Sequence, residues 1–371
     1  MRINLIQLHQ VRIPFTFSID HQLKRRAASD SIVLAVHSEQ GLIGYGEGAP
    51  RNYVTGENTS EVVKTFYREI VLMPQLSIQQ WEDVQFWLRE FDERVQSPAL
   101  SCAMEMALLD LYGQAKGMSV ADILSPNGER YFPIYSAVLP FLPLDQLEKW
   151  LLRMKGIGIK HYKLKVGQAD DRRMLSIVRD ILGPEADIRL DANRAWTLAE
   201  ARRNIETLSA YNISCVEEPL LATEIEKLIE LGKETPIKIL LDESVFSLEH
   251  VQYYIDHLPA ESLMFNLKIS KSGGLRATSK LHQLASLHGI DCQLGCNVGE
   301  TALLTAAGRI FAQTHRLSYL EGSLGGFFME GDLTEEFLGF GQEGVATPLY
   351  GPGLGVDIIP SNLEKYSIII Q

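Results

Sequence analysis

The spacing of apolar residues changes character twice along the chain. Over 2–12, 31–38 and 42–48 apolar and polar residues alternate with a period of two, which predicts three strands, the last two joined by a turn around Gly41. Near 58–71, 78–95, 98–116 and 119–124 they recur at three- and four-residue spacing, as in Ala103, Met106, Leu109 and Tyr112, and predict helices. From about 133 onward, short strand-like runs alternate with amphipathic segments. That alternation is the mark of βαβ units and a parallel sheet. The strand candidates are 162–166, 187–191, 214–217, 237–242, 263–269, 291–294 and 317–321. The final stretch, about 336–371, carries turn-rich GQEG and YGPGLG segments and a strand-like VDIIP, and is expected to leave the barrel and pack on the N-terminal module.

A regular interval underlies the second half. The charged residues closing successive strands are Lys165, Asp191, Glu217, Asp242 and Lys268, at intervals of 26, 26, 25 and 26 residues. One strand, one helix and two loops fill such an interval, so each unit delivers one ionisable group to the same structural place. In a (β/α) barrel that place is the C-terminal rim, where active sites of this architecture are built. Continuing the interval lands beside Gly295 and Glu321. Alternation along the strands turns Lys163 with Lys165, Arg189 with Asp191, Cys215 with Glu217 and Asn266 with Lys268 toward the barrel interior. Glu218 and Glu243 are expected to point away. For a single strand end, a structural Lys–carboxylate pair is the plain reading; five positions in one register favour chemistry.

Composition narrows the class. Hydrophobic residues are 46% and charged residues 22% of the 371, as in ordinary globular proteins, and no run approaches a membrane span. The 35 Lys and Arg against 47 Asp and Glu give a net charge of −12, which disfavours nucleic acid and anionic lipid as partners. Cys102, Cys215, Cys292 and Cys296 are too scattered for a disulfide framework or a zinc site. The N-terminus reads as a strand rather than a signal peptide, and the expected location is the cytoplasm.

Asp191, Glu217 and Asp242 are hard oxygen ligands of the kind preferred by Mg²⁺ or Mn²⁺. A metal on a substrate carboxylate would stabilise the enediolate formed when the α-proton leaves. A lysine base needs a lowered pKa, and Lys163 beside Lys165, together with the cation, would supply it. Lys165 and Lys268 count as three strand steps apart with substrate between them, so one would take the α-proton and the other return it to the opposite face.

The motifs Lys163-Leu164-Lys165, Asp191-Ala192-Asn193, Glu217-Glu218-Pro219, Asp242-Glu243-Ser244 and 266–274 (NLKISKSGG) together resemble the enolase superfamily, in its muconate lactonizing subgroup. Lysine or histidine bases with metal-stabilised ene-diolates are established chemistry there. The resemblance implies an α/β fold: a (β/α)7β TIM-like barrel over 129–335 with an N-terminal α+β capping domain over 1–128, completed by about 336–371. It implies Lys165 and Lys268 as catalytic pair, Lys163 as tuning residue, and Asp191, Glu217 and Asp242 as Mg²⁺ ligands. Barrels of this kind often form homo-oligomers. Arg51 falls in a cap loop (51–57), where it would either meet a substrate carboxylate or be an ordinary surface arginine; Asn266, Glu321 and Ser323 are further substrate-binding candidates. Dipeptide epimerases of the subgroup carry two aspartates, one residue apart, on the last strand, whereas Glu321-Gly322-Ser323 keeps one acid and lacks the second. The expected activity is therefore an isomerase that racemises or epimerises a dipeptide or N-acyl amino acid, a small-molecule carboxylate. Muconate-type cycloisomerisation and o-succinylbenzoate synthase-type dehydration are the alternatives, and a catalytically silent barrel is the non-enzyme one. Trp196 is expected to pack, Lys271 to make an ion pair, Gly273-Gly274 to turn, and His282 and His288 to be exposed on a helix.

Overall fold

A computed structural model describes residues 1–21, 24–139, 144–168, 170–335 and 337–370. The first elements are strands β1 (Ile3–Val11), β2 (Pro14–His21), β3 (Lys24–Ala28), β4 (Ser31–Ser38) and β5 (Ile43–Gly48), then helices α1 (Thr59–Ile70), α2 (Trp81–Val95), α3 (Pro98–Lys116) and α4 (Val120–Leu124). Helix starts follow local chemistry: Asn58 and Ser97 cap α1 and α3, and Pro98 occupies the first turn of α3, where its missing N–H costs nothing. Strands β1, β4 and β5 form an antiparallel sheet; β2 pairs with β3, and its Phe15 makes an isolated antiparallel bridge to Met329. Helix α3 is apolar nearly all round and is buried. It lies directly on β5, because Gly44, Gly46 and Gly48 alternate along that strand. A Cβ at any of them would collide with the carbonyl oxygen of Ala107, Ala103 or Ala99.

The second set of elements is β6 (Ala137–Leu139), α5 (Leu144–Ile157), β7 (His161–Lys165), α6 (Asp171–Leu182), β8 (Asp187–Asp191), α7 (Leu198–Leu208), β9 (Ile213–Glu217), α8 (Ile225–Glu234), β10 (Lys238–Leu241) and α9 (Leu248–His257). It continues with β11 (Leu263–Leu267), α10 (Ile269–Ser272), α11 (Leu275–Leu287), β12 (Asp291–Leu294), α12 (Ala302–Thr314), β13 (Tyr319–Leu320) and α13 (Gly325–Phe328). The eight parallel strands β6 to β13 neighbour one another in sequence order. A parallel bridge between Tyr135 and Leu320 joins the two ends. The result is the (β/α)7β TIM-like barrel expected from the sequence.

Strand β6 was not among the sequence candidates, because its three residues are too few to show a period. Its presence changes the geometry. The expected count of three steps does not hold: β7 and β11 are four steps apart through β8, β9 and β10, and β6 makes the other way round four as well, so the two strands stand directly opposite.

After the barrel come α14 (Pro360–Tyr366) and β14 (Ser367–Ile370), and β14 pairs antiparallel with β1, Leu8 facing Ile370 and Val11 facing Ser367. The VDIIP segment is not the strand expected. Ile359 makes a single backbone bond to Leu333 and Pro360 opens α14, so pairing with β1 falls to the four residues beyond the helix.

Cap and barrel are joined by buried polar contacts. The Glu47 carboxylate, at the end of β5, accepts from the Thr301 amide at 3.1 Å, the Thr301 hydroxyl at 2.7 Å and the Leu304 amide at 3.1 Å, at the N-terminus of α12. The Ser270 hydroxyl accepts from the Ala49 amide at 2.8 Å, and buried Glu105 of α3 accepts from the Arg276 amide at 3.1 Å. No helix among the described residues is long and apolar enough to cross a membrane.

Candidate active site

Five neighbouring strands deliver ionisable side chains to one cavity of about 200 Å³ at the C-terminal rim. Lys163 and Lys165 come from β7, Asp191 and Glu217 close β8 and β9, and Asp242 and Lys268 sit one residue past β10 and β11. The pairing register places Lys165 beside Asp191 and Asp191 beside Glu217. The opposite wall comes from the cap, through Phe17, Arg26 and Tyr53, while Trp150, Leu324, Phe327 and Phe328 supply an apolar side.

The charges are closely paired. Lys163 Nζ lies 2.7 Å from Glu321, 3.1 Å from Glu217 and 3.7 Å from Asp191. Burial opposes the charge on Lys163, but these three carboxylates outweigh it and hold the lysine well above its ordinary pKa. Lys268 is likewise raised: burial works against its charge, and Asp242, Glu243 and Glu217 prevail. Lys268 is ion-paired with Asp242, which Lys271 also contacts at 2.9 Å. Asp242 is held below the usual carboxylate range, its burial being overcome by those two lysines. Glu217 is pushed up to about 8, by burial first and then by Asp191, Glu321 and Asp242, against the pull of Lys163. Lys163 and Lys268 each face carboxylates rather than another ammonium. Lys165 has a different partner. Its Nζ donates to Asn193 Oδ1 at 2.9 Å, and Asn193 in turn donates to Asp191 at 2.7 Å.

Several candidates occupy places other than those expected. Arg51 is neither a surface residue nor part of the cavity wall; it is 2% exposed and donates to the carbonyls of Asp30, Pro50 and Val298. Asn266 is buried behind Glu217, to which it donates at 2.8 Å, and does not face the cavity. Glu321 does line the cavity, but its oxygens are held by Lys163 and by Arg189 at 3.0 Å. Ser323 also lines it, with its hydroxyl accepting from Arg309 at 2.9 Å and donating to the Leu338 carbonyl. Glu243 was expected to point away, yet it faces the cavity, 3.4 Å from Arg194. Strand alternation ends at Leu241, so it no longer governs residue 243. Glu218 is buried outside the wall, accepting from the Asp242 amide at 2.7 Å. His282 is half-buried, its Nε2 donating to the Arg316 carbonyl at 2.8 Å, whereas His288 is exposed. Trp196 packs in the barrel core. Asn193 and Arg26 were missed as site residues. Asn193 stood inside a quoted motif, but its reach to Lys165 depends on a left-handed backbone (φ 44°) that spacing does not reveal.

The donor set Asp191, Glu217 and Asp242 has the chemistry of a hard divalent cation site: oxygen-only, anionic, buried at 2–3% exposure, and opening to one cavity. As placed, ammonium groups stand against these oxygens. Among the described residues no three His, Cys, Asp or Glu side chains are gathered around a single point. The residues fit such an ion by chemical type and by strand position.

Comparison with known proteins agrees with this architecture. Residues 146–362 match the family described as Enolase C-terminal domain-like. The chain belongs to the enolase superfamily, in its muconate-lactonizing-enzyme-like subgroup. It is similar to the hydrophobic dipeptide epimerase of Enterococcus faecalis, 28% identical over 314 residues that cover 83% of this chain and 85% of the relative. It is also similar to the N-succinyl-L-Arg/Lys racemase of Bacillus cereus, 26% identical over 312 residues covering 83% of each chain. Among solved structures, a dipeptide epimerase from Enterococcus faecalis V583, complexed with Mg and the dipeptide L-Leu-L-Tyr, superposes with a TM-score of 0.85 at 23% identity, covering 96% of this chain and all of that one.

Proposed function

We propose that this protein is a racemase or epimerase that removes and returns the proton α to the carboxylate of a dipeptide or N-acyl amino acid. One observation carries the reading: Lys165 and Lys268 close strands directly opposite each other, both face the same cavity, and the carboxylates of Asp191, Glu217 and Asp242 close the strands between them. Two lysines on opposite sides suit removal of a proton from one face of a carbon and delivery to the other. Lys165 Nζ and Lys268 Nζ are the proton-carrying atoms. Asn193 orients Lys165, while Lys163 ties Glu217 and Glu321 together at the cavity floor. Asp191, Glu217 and Asp242 would hold Mg²⁺. Bound there, the ion would act as a Lewis acid toward the negative charge that develops on the substrate carboxylate. The name of one relative's complex, which contains Mg and a dipeptide, supports this choice. In the same reading residues 1–128 and 336–371 form the cap, 129–335 form the catalytic barrel, and the enzyme works in the cytoplasm on a small-molecule carboxylate.

The test is mass spectrometry of pooled dipeptides and N-acyl amino acids incubated with protein and Mg²⁺ in D₂O. Deuterium is expected at one α-carbon, and Lys165→Met or Lys268→Met should each lower its incorporation by about 10²–10⁴-fold. Near-normal exchange in either variant would remove that lysine from the mechanism. Absence of deuterium across the pool would refute racemisation of these compounds.

A further inference from the structure

A second cavity, of about 310 Å³, opens between α6 and α7 and shares no lining residue with the catalytic one. Its buried inner wall is Trp196 and Leu208, 6% and 4% exposed. Arg172 enters from α6, and Arg203 and Asn204 enter from α7. Two guanidinium groups thus converge on one small space in a chain whose net charge is −12. The two acids at this cavity are engaged elsewhere. Asp171 accepts from the amides of Gly167 at 2.7 Å and Gln168 at 3.1 Å, and Glu200 accepts from the Thr197 amide and hydroxyl, each at 2.8 Å. Those Thr197 bonds come first in holding the Glu200 carboxyl below its ordinary pKa, and Arg203 comes last. Neighbouring arginines behave differently. Arg179 of α6 donates to the carbonyls of Gly183, Ala186 and Tyr211, and Arg202 of α7 pairs with Glu230 and Glu234. Arg172 and Arg203 make no ion pair with a described residue, and no described residue accepts from the Trp196 indole N–H.

Like charges gathered in one pocket repel, and an anion seated between them replaces that repulsion with attraction. The lining offers mostly donors: two guanidinium forks, an indole N–H and the side-chain amides of Asn204 and Gln168. Such a set suits the oxygens of a doubly charged anion, whereas a cation would meet carboxylates already engaged. A single water needs only about 15 Å³ of such space, so an anion of several heavy atoms has room. The walls matter as well. Gly167 and Gln168 follow Lys165 by two and three residues, and Ala195 and Trp196 follow Asn193 by the same interval. A molecule held here therefore touches both segments that leave the Lys165–Asn193 hydrogen bond.

We propose that the cavity between α6 and α7 is an anion site, taking a small doubly charged oxyanion through Arg172, Arg203 and the Trp196 N–H. The bound anion steadies the segments that follow Lys165 and Asn193. A phosphate group and a dicarboxylate share this chemistry. The inference does not depend on the reaction proposed for the catalytic cavity.

Calorimetric titration of the full chain with Mg²⁺ present, using inorganic phosphate and succinate in turn, tests it. At least one should bind with a Kd of about 1 mM or lower, the range that two charge-assisted contacts supply. Neutral succinamide, of the same size as succinate, should bind at least tenfold more weakly. Tighter phosphate assigns a phosphorylated ligand, tighter succinate assigns a dicarboxylate, and equal affinity assigns the shared oxyanion chemistry. Arg172→Met and Arg203→Met should each raise the Kd about tenfold; both side chains are exposed, so the fold is kept. Hydrogen exchange read by mass spectrometry places the anion independently of the variants. The amides of 166–172 and 194–208 should gain protection when the anion is added. No binding of either anion below about 10 mM overturns the proposal. So does a Kd in the Arg172→Met/Arg203→Met double variant within threefold of wild type, or protection that falls outside these two segments.

Discussion

Replacing Glu321 by Gln tests the charge network beneath the cavity. Glu321 stands between two cations, 2.7 Å from Lys163 and 3.0 Å from Arg189, and the side chains of the three are 4%, 8% and 0% exposed. The loss does not fall equally. Lys163 keeps Glu217 and Asp191, but among the described residues Arg189 has no other carboxylate. It retains Ser136 at 3.4 Å and the face of Tyr319, 3.8 Å from its guanidinium carbon, while its Nε has no partner among the described residues. Breaking a buried pair by removing one partner costs about 3–5 kcal/mol. The glutamine amide still accepts one bond, so about 3 kcal/mol is expected for Glu321→Gln. Urea denaturation of the wild type, Glu321→Gln, Arg189→Met and the double variant would measure it. The double variant should be less destabilised than the sum of the singles by about 2 kcal/mol, because the orphaned charge is gone. A loss below about 1 kcal/mol in Glu321→Gln, or strict additivity in the cycle, would refute this account of the network.

Chelation should abolish α-proton exchange and added Mg²⁺ should restore it; full exchange in metal-free protein would remove Asp191, Glu217 and Asp242 as an ion site. At the other end of the barrel, Asp187 accepts from Ser214 at 2.6 Å and Tyr319 at 2.7 Å and lies 3.1 Å from His161. Burial opposes its ionisation, but these bonds win and lower its pKa to about 2. A depressed acid stabilises the fold above its unfolded pKa and loses that contribution as pH falls through the folded value. Asp187→Asn should therefore cost about 1–2 kcal/mol at pH 7, with the gap from wild type closing between about pH 5 and 2; a pH-independent gap would contradict the assignment. Gly46→Val should destabilise the protein by about 1–3 kcal/mol in thermal unfolding, since its Cβ has no room against Ala103. An unchanged melting temperature would show that α3 can retreat from β5.

Much of the barrel was legible because its signal repeats. Residues such as Lys165, Asp191 and Glu217 recur at the period of one βα unit, and a period survives errors of a residue or two at each strand end. The expected strands 237–242 and 263–269 stop at Leu241 and Leu267, one or two residues early, without moving Asp242 or Lys268 from the rim. Short or singular features gave no such signal. Strand β6 has three residues, and β14 follows a helix that begins in the segment read as a strand. Side-chain roles were legible only where alternation holds inside a strand, as at Lys163. Past the strand ends it fails, as Glu243 shows. Arg51 and Arg26 were indistinguishable from other arginines, because what sets them apart is their surroundings: three carbonyl oxygens accept from Arg51, and Arg26 lines the cavity.

The bond between Glu47 and the start of α12 also bears on how such a chain can change over time. Its two halves lie 254 residues apart, one contributed by the cap and the other by the barrel. A carboxylate buried there is satisfied by the amides of a helix end, and a helix end buried there is satisfied by that carboxylate. Neither half can be inherited alone without leaving unpaired polar groups in the interior. Exchange of caps between related barrels must therefore carry residue 47 and the 301–304 turn together, or replace both. Shuffled chimeras that divide them should be recovered as unstable proteins, while those that keep them as a unit start from an intact joint.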